Sequence, residues 1–384
     1  MLRRRELLVA VTGSVAVRAG HAQPEELAST TLHRLATGDL GALVAVDAQL
    51  RGTPLRCLID SGASSAVISP RVVRELRLEV IDRRRVATAG GVMQLERVAL
   101  PALEIGALGL ADDSALVLDL GAQLGDAGAG IDGLIGAPSL RERITRFDLA
   151  GGRVSWHARA EPRGAVWPLR WDQGLAVVNL ALGEREGAPF LFDTGNAGAL
   201  VVFARHAAGL AGTQQLPRTT TQELGGAVSL HQALLERLSA PGYAARDVPV
   251  VFEAGTQARR GAHFDRLAGS AGLALFAAGA VTLDGPGARL IVELPGLPEP
   301  APLPGGFGFG LGAGAVVNAV FDGGPAARAG VRPGQRLRRL DEREVATATQ
   351  TWQALQGRDS ARFDFDGLAA PVPLARERFF ARWR

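Results

Sequence analysis

Two acidic side chains stand at the ends of apolar runs, each followed at once by a hydroxyl and a glycine. In CLIDSGASSAV (57–67) the acid is Asp60, with Ser61 and Gly62 behind it. In FLFDTGNAGAL (190–200) it is Asp193, with Thr194 and Gly195. A lone carboxylate at the end of a buried strand is costly, because the charge loses its water and gains no partner. Two such loops brought face to face change the outcome. Like charges that close do not both ionise, so the pair holds one proton and its two pKa values move apart. One acid can then take a proton from water while the other donates to a carbonyl oxygen. The neighbouring residues serve the same end, since glycine lets the backbone turn tightly and the hydroxyl can bond across to a facing segment.

The elements that must position these acids recur with them. Asp60 and Asp193 are 133 residues apart, and the offset extends to other blocks. Gly41 matches Gly174, each opening an apolar run 19 residues before its acid. Asp132 and Gly136 in IDGLIGAPSL match Asp265 and Gly269 in FDRLAGSAGL, again at 133. The pair Gly90-Gly91 matches Gly225-Gly226 at 135, and RFDLAGGRVSW (146–156) matches TLDGPGARLIV (282–292) at 136. Blocks repeated in one order with small insertions describe a duplicated unit. Each half reads as mostly β: short runs of Val, Leu, Ile and Phe broken by Gly, Pro and Asp turns. AVISPRVVREL (66–76) and ALVVFARHAAGL (199–210) each offer a short helix after the acid.

LIDSGAS and LFDTGNA resemble the active-site loops of aspartic proteases, in particular the retropepsin-like ones of bacteria. The resemblance spans residues ~35–293 and implies a mainly β fold: two tandem retropepsin-like lobes in a pepsin-like pseudo-twofold arrangement. It implies that Asp60 and Asp193 activate water, and that Ser61, Gly62, Thr194 and Gly195 support the loops, with reciprocal hydrogen bonds from the two hydroxyls. It implies a later apolar-apolar-glycine element in each lobe, matched by Leu134-Ile135-Gly136 and Leu267-Ala268-Gly269. The turns at Gly90-Gly91 and Gly225-Gly226 would be flaps over the substrate, an exposed β-turn being the other reading of either pair. Asp132 and Asp265 are symmetric acids expected to cap turns or pair with cations rather than to catalyse. Two departures stand out. Ala63 follows the first loop where Asn196 follows the second, and the single tyrosine, Tyr243, lies beyond the second flap rather than in one.

The bulk composition is that of a folded protein with ample core, 47% hydrophobic and 21% charged over 384 residues, enough for two or three domains. Arg carries all the positive charge, with no Lys in the chain. The opening MLRRRELLVAVTGSVAVRAGHAQPEE has the layout of an export signal over residues 1–22, of the general or twin-arginine type. Removing it takes four Arg and one Glu, so the net charge falls from +3 to 0. The basicity thus belongs largely to the signal, and nucleic-acid binding loses its support. The expected place of the mature chain is the periplasm or cell envelope of a bacterium, with no membrane span apart from the signal. The single Cys57 excludes an internal disulfide and reads as a buried, inert thiol. The six histidines show no metal-binding spacing, and neither metal nor cofactor is expected.

The domain boundaries that follow are 30–160 and 165–293 for the two lobes, a Pro/Gly-rich linker over 294–306, and a separate domain over 307–384. In that tail, GPAARAGVRPGQ (324–335) makes the chain resemble a PDZ domain of the bacterial type, an α+β fold with a helix near Thr349–Gln356. The resemblance implies capture of a C-terminal peptide by strand addition at a glycine-rich loop, here Gly308, Phe309, Gly310 and Leu311. The expected partner of the lobes is a peptide or unfolded protein substrate. Two readings stand beside the exported endopeptidase. One is an inactive envelope scaffold that binds peptides on a protease fold. The other is a dimer whose sites form between equivalent lobes of two chains.

Overall fold

The computed structural model describes residues 25–37, 41–88, 91–110, 113–213, 216, 218–223, 226–254, 262–294, 306–378, 380 and 382–383. The expected export signal, most of the linker, Gly90 and Gly225 lie outside the described residues.

The protein is mainly β, as the strand-and-turn texture implies. Each half builds the same sheet around its acid. The strand Thr53–Asp60 runs antiparallel to Ala42–Leu50 on one side and parallel to Gly133–Gly136 on the other. Gly133–Gly136 then pairs with Ala66–Ile68, which lies parallel to Ser114–Val117. That strand leads to the hairpin Val80–Thr88/Gly91–Ala99. In the second half Ala188–Phe192 lies between Leu175–Leu182 and Gly269–Ala271. Leu200–Val202, Tyr243–Glu253 and the hairpin Arg218–Glu223/Gly226–Ala240 follow in the same order, with the same parallel and antiparallel senses. Short helices, Pro70–Leu76 and Ala204–Ala208, follow the two acids where the sequence offers them.

The halves are joined by a shared sheet. Ile144–Asp148 of the first pairs antiparallel with Ala280–Asp284 of the second, centred on Arg146 opposite Thr282. Those two residues are the matched positions of the repeat at offset 136. Trp156, Trp167, Phe147, Phe190, Phe192, Phe252 and Phe276 are fully buried in one continuous core across this join. Each such side chain contributes about 1.5–3 kcal/mol of transfer free energy, so the halves are held together by core and not by hydrogen bonds alone. Cys57 sits in that core, and burial pushes its thiol up to about 12, which leaves it inert at neutral pH. Tyr243 is core as well: its ring packs edge-on against Trp167 at 5.2 Å, and burial raises its phenol to about 12.

Residues 306–378 form a separate core around Phe307, Phe309, Trp352, Phe363 and Phe365. The helix lies at Ala348–Ala354, capped by the Thr347 hydroxyl, which accepts from Gln350 N at 3.2 Å. The chain then returns to the second half. Arg382–Trp383 adds a parallel strand to Gly226–Ala240 beside Leu234 and Leu235. Trp383 Nε1 donates to the Ala211 carbonyl at 2.9 Å, and its ring meets Phe252 at 5.0 Å.

Candidate active site

Each acid is delivered by a strand whose inner face is apolar and whose last residue reaches the edge of the core. Leu58 and Ile59 are buried, while Asp60 is half-buried; Leu191 and Phe192 are buried, while Asp193 is half-buried. The parallel neighbour sets how closely the following loop can fold back. Gly136 stands opposite Asp60, and a Cβ on it would lie 2.7 Å from the Ser65 carbonyl oxygen. A Cβ on Gly272 would lie 2.2 Å from the Gly198 carbonyl oxygen and 2.4 Å from that of Asn196. Both positions therefore require glycine for a close backbone approach.

This equivalence corrects the reading of the second apolar-apolar-glycine element. Ser270-Ala271-Gly272, not Leu267-Ala268-Gly269, occupies the place of Leu134-Ile135-Gly136. Leu191 pairs with Ser270 as Leu58 pairs with Leu134. Three extra residues precede the element in the second half, so the offset there is 136, the value already shown by the strand repeat downstream. Asp132 and Asp265 are consequently not counterparts. Asp132 accepts from Arg56 N at 3.1 Å and pairs with Arg71 at 2.6 Å, whereas Asp265 stands 3.9 Å from Arg205.

The two loops grip each other through four hydrogen bonds. Ser61 N donates to Thr194 Oγ1 at 2.9 Å, and Thr194 N donates to Ser61 Oγ at 3.0 Å. Each hydroxyl passes its own proton back across the join, Ser61 Oγ to the Phe192 carbonyl and Thr194 Oγ1 to the Ile59 carbonyl, both at 2.7 Å. Ser61 is 1% exposed and Thr194 0%, so these bonds form without competition from water.

The grip brings the acids together within one chain. A side-chain hydrogen bond joins Asp60 to Asp193. Gly62 N donates to Asp60 Oδ1 at 2.9 Å, and Gly195 N and Asn196 N donate to Asp193 Oδ1 at 3.0 and 3.1 Å. Each glycine also lies against the opposite carboxyl: a Cβ on Gly62 would be 2.6 Å from Asp193 Oδ1, and one on Gly195 would be 2.5 Å from Asp60 Cγ. A side chain at either site would push the acids apart.

Burial raises the Asp60 carboxyl above its ordinary range, against the lowering effect of the Gly62 N–H, the bond to Asp193 and the Ala63 N–H. The pair thus retains a proton where a free carboxylate has lost it. The sign for stability follows. Below the ordinary value of 3.8 both folded and unfolded chains are protonated. As pH rises from there, the unfolded chain loses its proton first and the folded pair keeps it, so stability falls until the pair ionises. Thermal melting at pH 4 and pH 7 should show this fall in the wild type and a smaller one in Asp60→Asn. Equal falls in both would show that Asp60 holds no such proton.

The difference between Ala63 and Asn196 is compensated within the second half. Asn196 Nδ2 donates to Ser270 Oγ at 3.0 Å, and its Oδ1 accepts from Gly198 N at 2.9 Å. In the first half the same two places hold Ala63 and Leu134, which belong to one apolar cluster. A polar pair stands where the first half has an apolar one, and the amide is spent on the loop itself. Asn196→Ala and Ser270→Ala should each cost about 1 kcal/mol, and the double variant little more than either. Denaturant melts of the three variants measure the coupling, and full additivity would contradict it.

The candidate flap glycines stand at hairpin ends. Gly91 pairs with Thr88 and Gly226 with Glu223. Val86, Met93 and Leu95 of the first hairpin share a cluster with Ala63 and Ala197, which places that hairpin beside both loops. Gly41, unlike its turn-forming sequence match Gly174 (φ +83°), lets the second loop rest on the first half. A Cβ on Gly41 would lie 2.0 Å from the Ala197 carbonyl oxygen. In the tail, Phe309 and Leu311 are buried in the domain's own core, and Gly308 adopts φ +83° against Pro325. What the segment Gly308–Leu311 can offer a ligand is therefore backbone.

A family model described as aspartyl protease matches residues 46–139, the stretch that holds Asp60, the first hairpin and Gly136. No curated protein matches the chain.

Proposed function

We propose that this chain is an exported aspartic endopeptidase, with one site formed by Asp60 and Asp193 and a PDZ-like tail that binds a substrate or partner peptide. The observation that carries the reading is the reciprocal four-bond grip of Ser61 and Thr194, which holds two half-buried carboxyls in contact. The aspartyl protease match over residues 46–139 supports protease chemistry in general.

In the catalytic step the ionised member of the pair accepts a proton from water, and the water oxygen attacks the peptide carbonyl carbon. The protonated member of the pair donates to the carbonyl oxygen, and the burial that raises the Asp60 carboxyl is what keeps a proton on the pair. A tetrahedral gem-diol forms with no covalent enzyme intermediate. In its collapse the acid that took the proton from water gives it to the leaving nitrogen, and the other acid takes back a proton from one gem-diol hydroxyl, so the pair returns to its starting state. The two hairpins would cover the substrate, and a peptide or unfolded protein is the proposed substrate class. Export rests on the signal layout of residues 1–22, and the periplasm or cell envelope is the proposed location. Among the described residues no helix is long and apolar enough to cross a membrane.

The inactive-scaffold reading draws on Asn196, whose amide turns to Ser270 rather than onto a carboxyl. The two-chain reading is disfavoured by the contact of both acids within one chain. A peptide-library digest by the signal-free wild type, run beside Asp193→Asn, tests the proposal. Cleavage by the wild type alone supports it, and cleavage by both or by neither removes it.

A further inference from the structure

Residues 118–131 carry no motif that assigns them a role. They form a short helix, Leu120–Leu124, and a tight turn, Gly125–Gly128. One side of this segment packs into the apolar cluster next to the two loops. Leu118, Leu120 and Ile131 are buried in the cluster that holds Ala63 and Ala197, and Leu124 and Ala127 pack against it. The segment thus packs in the same apolar cluster as both loops and the first hairpin, and forms a wall on that side of them. The turn is packed tightly on the helix: a Cβ on Gly128 would lie 2.1 Å from the Leu120 carbonyl oxygen, so the two move as one piece.

The other side of the segment faces the tail. The Asp126 carboxylate accepts from Gly314 N at 3.1 Å and from Ala348 N at 2.7 Å. Ala348 opens the helix Ala348–Ala354, whose first N–H groups have no carbonyl within the helix to bond. Thr347 satisfies one of them, at Gln350, and Asp126 reaches in from 222 residues away to satisfy another. Close packing accompanies the bonds. A Cβ on Gly125 would touch Ala313 Cβ at 3.4 Å, and Ala36, from the first half, is 4% exposed inside the tail's core cluster. Nothing in the chemistry of water activation asks for a carboxylate at this position, so its use is mechanical.

We propose that Asp126 is a strut that fixes this wall to the tail domain, so that the placement of the tail governs how tightly the site holds substrate. The consequence for substrate rests on the protease reading; the strut does not. Because Asp126 touches no reacting atom, it is a positioning residue. It acts on substrate binding through Leu120, Leu124 and Ala127, and leaves the proton transfers to Asp60 and Asp193.

The test uses the full mature chain with Asp126→Ala and the milder Asp126→Asn, which keeps one acceptor oxygen and serves if the first variant fails to fold. Hydrogen exchange is followed at single amides. Gly314 and Ala348 should exchange about tenfold faster or more in Asp126→Ala, and by a smaller factor in Asp126→Asn. Thr351 and Leu355, bonded within or next to the same helix to Thr347 and Thr351 carbonyls, should change little. Ala122, Gln123, Ala129 and Ile131, whose N–H groups bond within the wall segment, should loosen as well. On a cleaved peptide, KM should rise about fivefold or more with kcat held within about twofold. Release of Gly314 and Ala348 with no change in the wall amides would overturn the strut. Loosened wall amides with an unchanged KM would overturn its link to substrate. A wild type that cleaves nothing removes the protease reading instead, and the exchange pattern still decides the strut.

Discussion

Asp193→Asn should leave the protein folded and lower kcat/KM for peptide cleavage by roughly 10³-fold or more. The amide is nearly the shape of the acid and can still accept from Gly195 N and Asn196 N, so the loop has every reason to keep its place. What it loses is the second titratable group. An amide neither takes a proton from water nor shares one with Asp60, and the pair's two protonation states collapse into those of a single buried acid. Asp60→Asn should be equally inactive, because the two acids act as one unit. For the same reason the double variant should be no worse than either single one. Single-turnover assays on one peptide, with circular dichroism to verify the fold, measure all three. Activity within tenfold of wild type in either single variant would take the pair out of the chemistry.

Thr194→Val should destabilise the protein by about 3 kcal/mol, although it exchanges a hydroxyl for a methyl of nearly the same size. The Thr194 hydroxyl accepts from Ser61 N and donates to the Ile59 carbonyl in a place with 0% exposure. Valine fills the space and leaves both backbone groups buried without a partner, at about 1–3 kcal/mol each. For a folded unit of this size that corresponds to a fall in Tm of roughly 6–12 °C. Thr194→Ser keeps the hydroxyl and should stay within about 1 kcal/mol of wild type, which separates the hydrogen bonds from the packing of the methyl. Calorimetry or urea titration reads the difference. A Thr194→Val protein as stable as Thr194→Ser would mean that the grip contributes nothing to holding the halves together.

The parts of the site that the sequence displays are those built from local chemistry. An apolar run, an acid, a hydroxyl and a glycine make a loop whose residues can be named before any fold is known. Its second copy identifies Asp60 and Asp193 as partners. Gly269 passes for the counterpart of Gly136 because a constant offset ignores the three residues inserted ahead of Ser270. The backbone contacts of Gly272 with Gly198 and Asn196 identify the true equivalent. The bond between Asn196 and Ser270 links positions 74 residues apart, and polar residues at both are the only trace it leaves in the chain. Asp126 and Trp383 are illegible for a stronger reason. Each bonds to a residue 172 or more positions away, and neither lies in a pattern that sets it apart from an ordinary turn acid or a terminal aromatic. Long-range contacts of this kind are fixed by how domains pack, which no local propensity encodes.

The seam between the halves carries a trace of origin. Ile144–Asp148 meets Ala280–Asp284 antiparallel, with Arg146 opposite Thr282, so a position in one copy of the repeat faces the same position in the other. That is the register two identical chains adopt about a twofold axis, where one patch must serve as its own complement. A single ancestral copy would therefore have had this seam available as the contact surface of a symmetric pair. Fusion of two copies then needed only a short connection, such as the stretch from 158 to 164 between the last strand of one half and the first of the next. In a single chain the two copies are free to differ. The contrast between Ala63 with Leu134 and Asn196 with Ser270 is one that a symmetric pair of identical chains could not hold.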